Sequence, residues 1–334
     1  MANGSSAQDP IRTSNPLERG LGEADFPRVQ KIADNVYRYE ALTGRSDDRY
    51  TTNTMFVVTD EGVLVADGQG NPEATRKLVD AIGDITDQPI THVVICSDHG
   101  DHTNGNVSFP RAAQFIAHPN SKANLERTRA NPNRNAESPE VILPTELVED
   151  RRVLELGGTE IQILFLGRAH TGGDLFVYLP EEKLLFTTEV FLNRLFSSYR
   201  SSYPSEWLQV MDKAEELDVD MYLPGHGFIG DARVLAEEWL EYKRHMPAVL
   251  VEVKRLHERG LSVEEAIEQG GFWRIRFVVG RRLAGSRRDQ ADLCGIERRT
   301  AMIWENMAET GFALDRRPAS DHTLVFAYEG SRHI

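Results

Sequence analysis

Four apolar runs in this chain end alike. Val93-Val94-Ile95 leads into SDHGDHTNGN at 97–106, IQILFL into GRAHTGGD, LLFTT into Glu189, and MYLP into GHG. Segments of strand length therefore close repeatedly on His, Asp or Glu near glycine or a short loop. Strands of one sheet bring their ends to a common edge, and loops at that edge are where side chains converge on a ligand. The recurrence restricts the chain to a sheet-based fold in which His99, Asp101, His102, His170, Glu189 and His226 meet at one rim.

The remaining pattern supplies the sheets and their cover. Strand-like runs at 35–40, 53–58 and 62–67 come first, the last two joined as a hairpin by Asp60-Glu61-Gly62. Residues 72–85 open with Pro72 and space their apolar positions helically, and 91–97 return to strand. A second hairpin, 152–166, turns at Gly157-Gly158, and a third, 174–190, turns at PEEK. Residues 121–143 are polar, and Pro132 and Pro139 discourage a continuous helix, which predicts a long surface loop with one short helix. From 205 onward helix dominates: 205–220, then 231–260 with an interruption expected near Pro247, then SVEEAIEQ at 262–269, where Ser262 and Glu265 make a capping box. Residues 271–334 have no clear period, and a dimerising or substrate-covering appendage is the expected use. The expected organisation is an N-terminal arm over 1–30, a catalytic domain over 31–232 and a mostly helical extension over 233–334.

Charge narrows the partners. With 38 Lys+Arg against 52 Asp+Glu, the net charge of −14 opposes attraction to phosphate backbones or anionic lipid, so neither nucleic acid nor membrane is an expected partner. No apolar stretch approaches the roughly 20 residues that cross a bilayer. The start, MANGSSAQDP, has neither a basic nor an apolar segment, so a cytoplasmic protein is expected, with export behind a removed leader left open. Two cysteines, Cys96 and Cys294, are too few for a disulfide framework, and Cys96 reads as a small buried strand residue.

His99 and His102 flank Asp101 at a strand end, where a loop can turn all three toward one point. Imidazole with carboxylate suits zinc or another first-row divalent ion, while the same cluster can also cap a helix beginning near Thr103. His170, Glu189 and His226, each after its own apolar run, favour the metal.

The order and contexts of these residues resemble the metallo-β-lactamase superfamily. Its signature is HxHxDH, then a histidine before a Thr-Gly-rich loop, an aspartate in a TGD-like turn, and a final GH. The resemblance covers about residues 33–230 and implies an α/β (α+β) four-layer αβ/βα sandwich, with the metal site at the edge between two β-sheets and a helical C-terminal appendage beyond. It also implies two ligand sets. One comprises His99, His170 and the first signature position; the other comprises Asp101, His102 and His226; and a carboxylate at 189 bridges them. This chain departs twice, with Ser97 at the first signature histidine and Glu189 at the bridging aspartate. A serine hydroxyl is a poor substitute for imidazole. One zinc per chain is therefore expected on Asp101, His102, His226 and Glu189, with His99, His170 and Glu189 as a weaker second position.

The S-x-H-x-D-H variant formed by Ser97, His99, Asp101 and His102 is also similar to the chlorothalonil hydrolytic dehalogenase branch, zinc enzymes that replace an aryl chlorine with hydroxyl. That implies a hydrolase in which a divalent ion lowers the pKa of its water to about 7. Ser97 would hydrogen-bond that water, Asp101 or Glu189 orient it, and His99 or His170, where free of metal, move protons. Chloride displacement from an electron-poor aromatic is the expected reaction, with ester, lactone or thioester hydrolysis as the alternative. A di-iron redox enzyme and a metal-free binding scaffold are the alternatives from other classes. Trp207 and Phe191 are candidates to pack against a flat substrate, or else to anchor a helix to the core. Asn193 is a candidate to hydrogen-bond a substrate or leaving group, or else to stabilise a turn. His118 is expected to support rather than ligate, and His92, His245, His257, His322 and His333 read as surface or core residues. A homodimer acting on a small molecule is the expected assembly.

Overall fold

Glycine turns divide the first two-thirds of the chain into short strands, and the hydrogen-bond ladders sort them into two sheets. The computed structural model describes residues 11–45, 48–135, 137–195, 197, 199, 201–261 and 265. The larger sheet runs in the order β1 (Arg28–Lys31), β2 (Val36–Arg45), β3 (Asp48–Thr59), β4 (Gly62–Ala66), β5 (Ile90–Val94), β6 (Gln114–Ala117) and β7 (Glu146–Leu147). The smaller sheet contains β8 (Arg151–Leu156), β9 (Thr159–Leu164), β10 (Phe176–Leu179), β11 (Leu184–Phe186) and β13 (Met221–Leu223). Two short strands, β12 (Leu192–Asn193) and β14 (His226–Gly227), pair with each other and join the larger sheet through β3. The helices are α1 (Pro72–Gly83), α2 (Gly100–Thr103), α3 (Pro119–Ala130), α4 (Pro204–Glu215) and α5 (Ala232–Glu258).

Alternation along the strands sets the layers. In β10, Val177 and Leu179 face the larger sheet while Phe176 and Tyr178 face the helices, and all four are buried. The interior between the sheets is filled by Val57, Leu64, Val94 and Ile116 from one and Ile161, Ile163, Val177 and Phe186 from the other. Leu78 and Ile82 of α1 and Leu125 of α3 cover the outer face of the larger sheet. Trp207 and Met211 of α4, with Trp239, Tyr242 and Val253 of α5, cover the smaller one. The result is helix, sheet, sheet, helix, the expected four-layer sandwich, and α5 belongs to its fourth layer.

The three expected hairpins are present as β3–β4, β8–β9 and β10–β11. The short helix expected within the polar segment 121–143 is α3, which starts two residues earlier and runs for twelve, with loop after it. Pro119 sits in its first turn, where a missing N–H costs nothing, and His118 Nδ1 accepts from Asn120 N at 3.1 Å. One expectation fails: α5 does not break at Pro247. An interior proline costs a helix about 3 kcal/mol, but Tyr242 and Met246 before it and Val249, Val253 and Leu256 after it bury in one cluster, and that packing carries the helix across.

Residues 11–27 lie on the sandwich as two 3-10 turns, held partly by Arg12 to Glu238 at 3.0 Å. Among the described residues no helix is long and apolar enough to cross a membrane. The capping box at Ser262, the segment 271–334, Cys294, His322 and His333 lie outside the described residues.

Candidate metal centre

The rim is built on a buried carboxylate that sequence reasoning passed over. Asp67 directly follows β4 and is fully buried. Its Oδ1 accepts from Cys96 N (2.7 Å) and Ser97 N (3.2 Å), and its Oδ2 accepts from Thr188 Oγ1 (2.6 Å). One side chain thus ties two strand ends of the larger sheet to the end of β11 in the smaller. Asp67 and Thr188 both have positive φ, 65° and 44°. For a β-branched residue that is a strained conformation, of order 1–3 kcal/mol. Gly225 N donates to Thr188 O at 2.7 Å, and these bonds hold the backbone that presents Glu189.

The six candidate donors fall into two groups that share Glu189. One ligand-type atom each from Asp101, His102, Glu189 and His226 lies within 4.8 Å of the others, and the same holds for His99, His170 and Glu189. The outward ring nitrogens fix which atoms face inward. His226 Nδ1 lies 3.2 Å from the Thr51 carbonyl, leaving Nε2 toward Asp101 Oδ2 at 3.1 Å and Glu189 Oε1 at 3.5 Å. His102 Nδ1 stands 3.1 Å from Asp67 Oδ2, off the line of a hydrogen bond, with Nε2 inward. His170 Nδ1 contacts Ser197 Oγ at 3.0 Å, and His99 Nε2 contacts Ser201 Oγ at 2.7 Å. Their inward atoms lie 3.1 Å and 2.8 Å from the two oxygens of Glu189.

Two imidazole pairs face each other at 3.1 Å: His102 Nε2 with His226 Nε2, and His170 Nε2 with His99 Nδ1. Facing lone pairs repel unless a proton or a cation lies between them. Mixed imidazole and carboxylate donors at this spacing fit a zinc-type ion. The charge balance agrees. Burial opposes ionisation of Glu189, yet His170 and His99 outweigh it and hold its carboxyl well below the usual range. Burial likewise opposes a charged His226, but Asp101 and Glu189 lift it to about 10; for His99, Glu189 and then Asp101 overcome burial and lift it to about 9. The anionic donors hold protons on the rings that a bound cation would displace.

Ser97 is fully buried, and its hydroxyl donates to Glu189 Oε2 at 2.6 Å. The shortened side chain and the lengthened one are in direct contact. Asp101 and His99, 35% and 26% exposed, form the open side.

Three expected substrate contacts are not at that opening. Trp207 is fully buried, with its edge toward His170 at 5.2 Å and Nε1 donating to Val190 O. Phe191 packs on Trp239 and Tyr242, and Asn193 Nδ2 donates to Phe228 O at 2.8 Å. The anchoring and turn-stabilising readings describe these residues. His118 stacks on Phe165 and caps α3, a supporting role, and Cys96 is a buried free thiol whose pKa burial pushes up. Besides Asp67, the sequence reading missed Ser197, Ser201 and Tyr50, whose ring meets His226 edge-on at 5.2 Å. The signal for Asp67 was available, since LVADG has the same strand-then-acid-then-glycine form as the other rim segments.

A family model described as the metallo-beta-lactamase superfamily matches residues 47–226. Among curated proteins, 2,4-dinitroanisole O-demethylase subunit alpha of Nocardioides sp. (strain JS1661) is 25% identical over 221 residues, 65% of this chain and 58% of that protein. Metallo-beta-lactamase IND-1 of Chryseobacterium indologenes is 26% identical over 161 residues, 48% of this chain and 63% of its own length. The chain thus spans less than two thirds of either relative. A solved metallo-beta-lactamase from Pontibacter korlensis superposes with TM-score 0.56 at 20% identity, over 65% of this chain and 98% of that one, which is a likeness of fold.

Proposed function

The chain belongs to the metallo-beta-lactamase superfamily, and from that premise we propose that it is a metal-dependent hydrolase acting on an electron-poor aromatic ring that carries a displaceable group. The observation that carries the hydrolase reading is the meeting of His99, Asp101, His102, His170, Glu189 and His226 at one rim. Asp101, His102, His226 and Glu189 would hold one zinc-type ion tightly. His99, His170 and the same Glu189 would hold a second more weakly, for want of an imidazole at Ser97. Such an ion supplies Lewis-acid charge and acidifies water at neutral pH.

The chain's own groups have distinct tasks. Asp101, on the open side, takes the proton from the attacking water, and Ser97 holds Glu189 in place through its 2.6 Å bond. The water oxygen bonds to the ring carbon, and the leaving group departs with its electron pair. A halide leaves as it is, whereas an alkoxide takes a proton from His99 at the rim. With Trp207 and Phe191 in the core, Tyr50 beside His226 is the candidate to face the ring.

The aromatic reading is supported by the S-x-H-x-D-H similarity and by the relative named for 2,4-dinitroanisole. Chloride and methoxide differ as leaving groups, but both substrates are rings depleted of electrons by nitro or nitrile groups. The relatives named metallo-beta-lactamases favour acyl hydrolysis as the second reading. The test is a panel in ¹⁸O-labelled water: a chlorinated aromatic nitrile, 2,4-dinitroanisole, a lactone, a thioester and a β-lactam. Chloride or methanol release with ¹⁸O in the phenol, lost in Asp101→Ala, is expected. Turnover of acyl compounds alone rejects the aromatic reading.

A further inference from the structure

Away from the rim, three arginines surround one glutamate beneath the N-terminal arm. Arg28 on β1 pairs across the ladder with Glu40 on β2, and Gln30 pairs with Arg38. Arg19 closes the 3-10 turn Pro16–Arg19, and its guanidinium lies over the Phe228 ring, 5.6 Å from the centroid. The nearest guanidinium nitrogens of Arg19, Arg28 and Arg38 stand 4.0, 3.7 and 3.9 Å from the Glu40 carboxylate, all beyond hydrogen-bond length.

Burial makes this arrangement expensive. The side chains of Glu40, Arg38 and Arg19 are 2%, 7% and 9% exposed, and only Arg28, at 34%, reaches solvent substantially. Arg38 Nη2 donates to Gln30 Oε1, but Arg38 Nε and Nη1 and Arg19 Nε and Nη2 have no partner among the described residues. Among the described residues three guanidinium charges face one carboxylate charge, so two positive charges are left uncompensated in a region nearly closed to water. Burial, and then the neighbouring Arg28, push the pKa of Arg19 and of Arg38 down against the pull of Glu40. Guanidinium stays protonated regardless. Bridging waters can satisfy the free N–H groups but cannot cancel the charge, and an uncompensated buried charge is strongly unfavourable.

We propose that the Arg19–Arg28–Arg38 cluster binds one small inorganic anion, a halide or an oxyanion, on the unpartnered edges of Arg19 and Arg38, with Arg28 at its open side. The bound anion joins the arm to β1, β2 and the segment after His226, so its effect is on stability and on the seating of that arm. Glu40 competes with the anion for the same positive field.

Thermal unfolding of the full chain, with isethionate replaced stepwise by chloride, bromide or sulfate at constant ionic strength, tests this. A saturable rise in Tm of about 5 °C at a hundredfold excess over Kd is expected for at least one of the three. The rise should vanish in Arg38→Met and reach its midpoint at a concentration at least tenfold lower in Glu40→Gln. Anions that bind at the rim act on wild type and variants alike and cancel in the comparison. Crystals soaked in bromide, or grown in sulfate, should show the ion among the three guanidinium groups, which decides the matter even if Arg38→Met fails to fold. A Tm that drifts linearly with every anion and identically in Glu40→Gln, together with water alone at the cluster, overturns the proposal.

Discussion

Replacing Ser97 by His and Glu189 by Asp is expected to weaken metal binding when done singly and to restore it when done together. Ser97 is fully buried with its hydroxyl 2.6 Å from Glu189 Oε2, so an imidazole at 97 must displace that oxygen. Overpacking of this kind costs about 1–3 kcal/mol. Glu189→Asp alone withdraws the carboxylate by one methylene from His99 and His170, now 2.8 and 3.1 Å away, and loses charge-assisted contacts of about 1.5–3 kcal/mol each. In the double variant the shorter acid vacates the space, and the new imidazole adds a nitrogen donor beside His99 and His170. Residues in contact couple by about 0.5–3 kcal/mol. A coupling of about 2 kcal/mol is roughly thirtyfold in affinity. Chelator-competition titration with zinc measures the four affinities, and elemental analysis of gel-filtered protein counts the ions. The double variant should hold close to two ions where the wild type holds one tightly. Effects that add within about 0.5 kcal/mol, or two equally tight ions in the wild type, would refute the idea that the pair acts as a unit.

Two further outcomes follow from buried groups near the rim. Burial lifts the pKa of Asp174 to about 6 against the pull of His170 and Thr171, above its unfolded value of about 3.9. The folded state then binds the extra proton, so stability falls as pH rises from about 4 to 6, by about 3 kcal/mol in total. Asp174→Asn should remove that slope from the urea midpoints of zinc-free protein, and an unchanged difference between pH 4 and pH 7 would contradict the assignment. Gly227 has φ +89°, and a Cβ there would lie 1.9 Å from the Asn193 carbonyl oxygen. Gly227→Ala should push β14 off β12, lowering stability by about 3 kcal/mol and Tm by roughly 6–10 °C, with weaker zinc binding through His226; a Tm within a degree of wild type would show that the backbone yields.

Local signals were the legible part of the fold. Gly157-Gly158 between alternating runs fixes a hairpin without help from the rest of the chain, and β8–β9 turns there, with Leu156 opposite Thr159. Pro247 failed as a signal because its effect is decided by residues far from it: α5 stays whole because Met246 and Val253 share a cluster with Phe176 and Tyr222. Trp207, open between a substrate wall and a core anchor, carries a local clue that decides between the two. Trp207, Val210, Met211 and Ala214 recur at helical spacing, and all four are buried, the mark of a core-facing stripe rather than a substrate wall.

The candidate site was legible to the extent that each residue announces itself by type. Histidine and carboxylate at a strand end are conspicuous one at a time, whereas Asp67 is conspicuous only through its partners: 29 positions separate it from Cys96 and 121 from Thr188. The same limit governs Ser97. Read alone, the missing imidazole is a subtraction from one ligand set. In three dimensions the hydroxyl, 92 positions from Glu189, binds the oxygen that the extra methylene brings to it, and the other oxygen stays within reach of His170 and His226. A donor lost at one strand end and a carboxylate lengthened at another are then one change in one place. If the double-variant prediction holds, that pair sets how many metal ions the rim binds, and neither residue can be assigned a role by its identity alone.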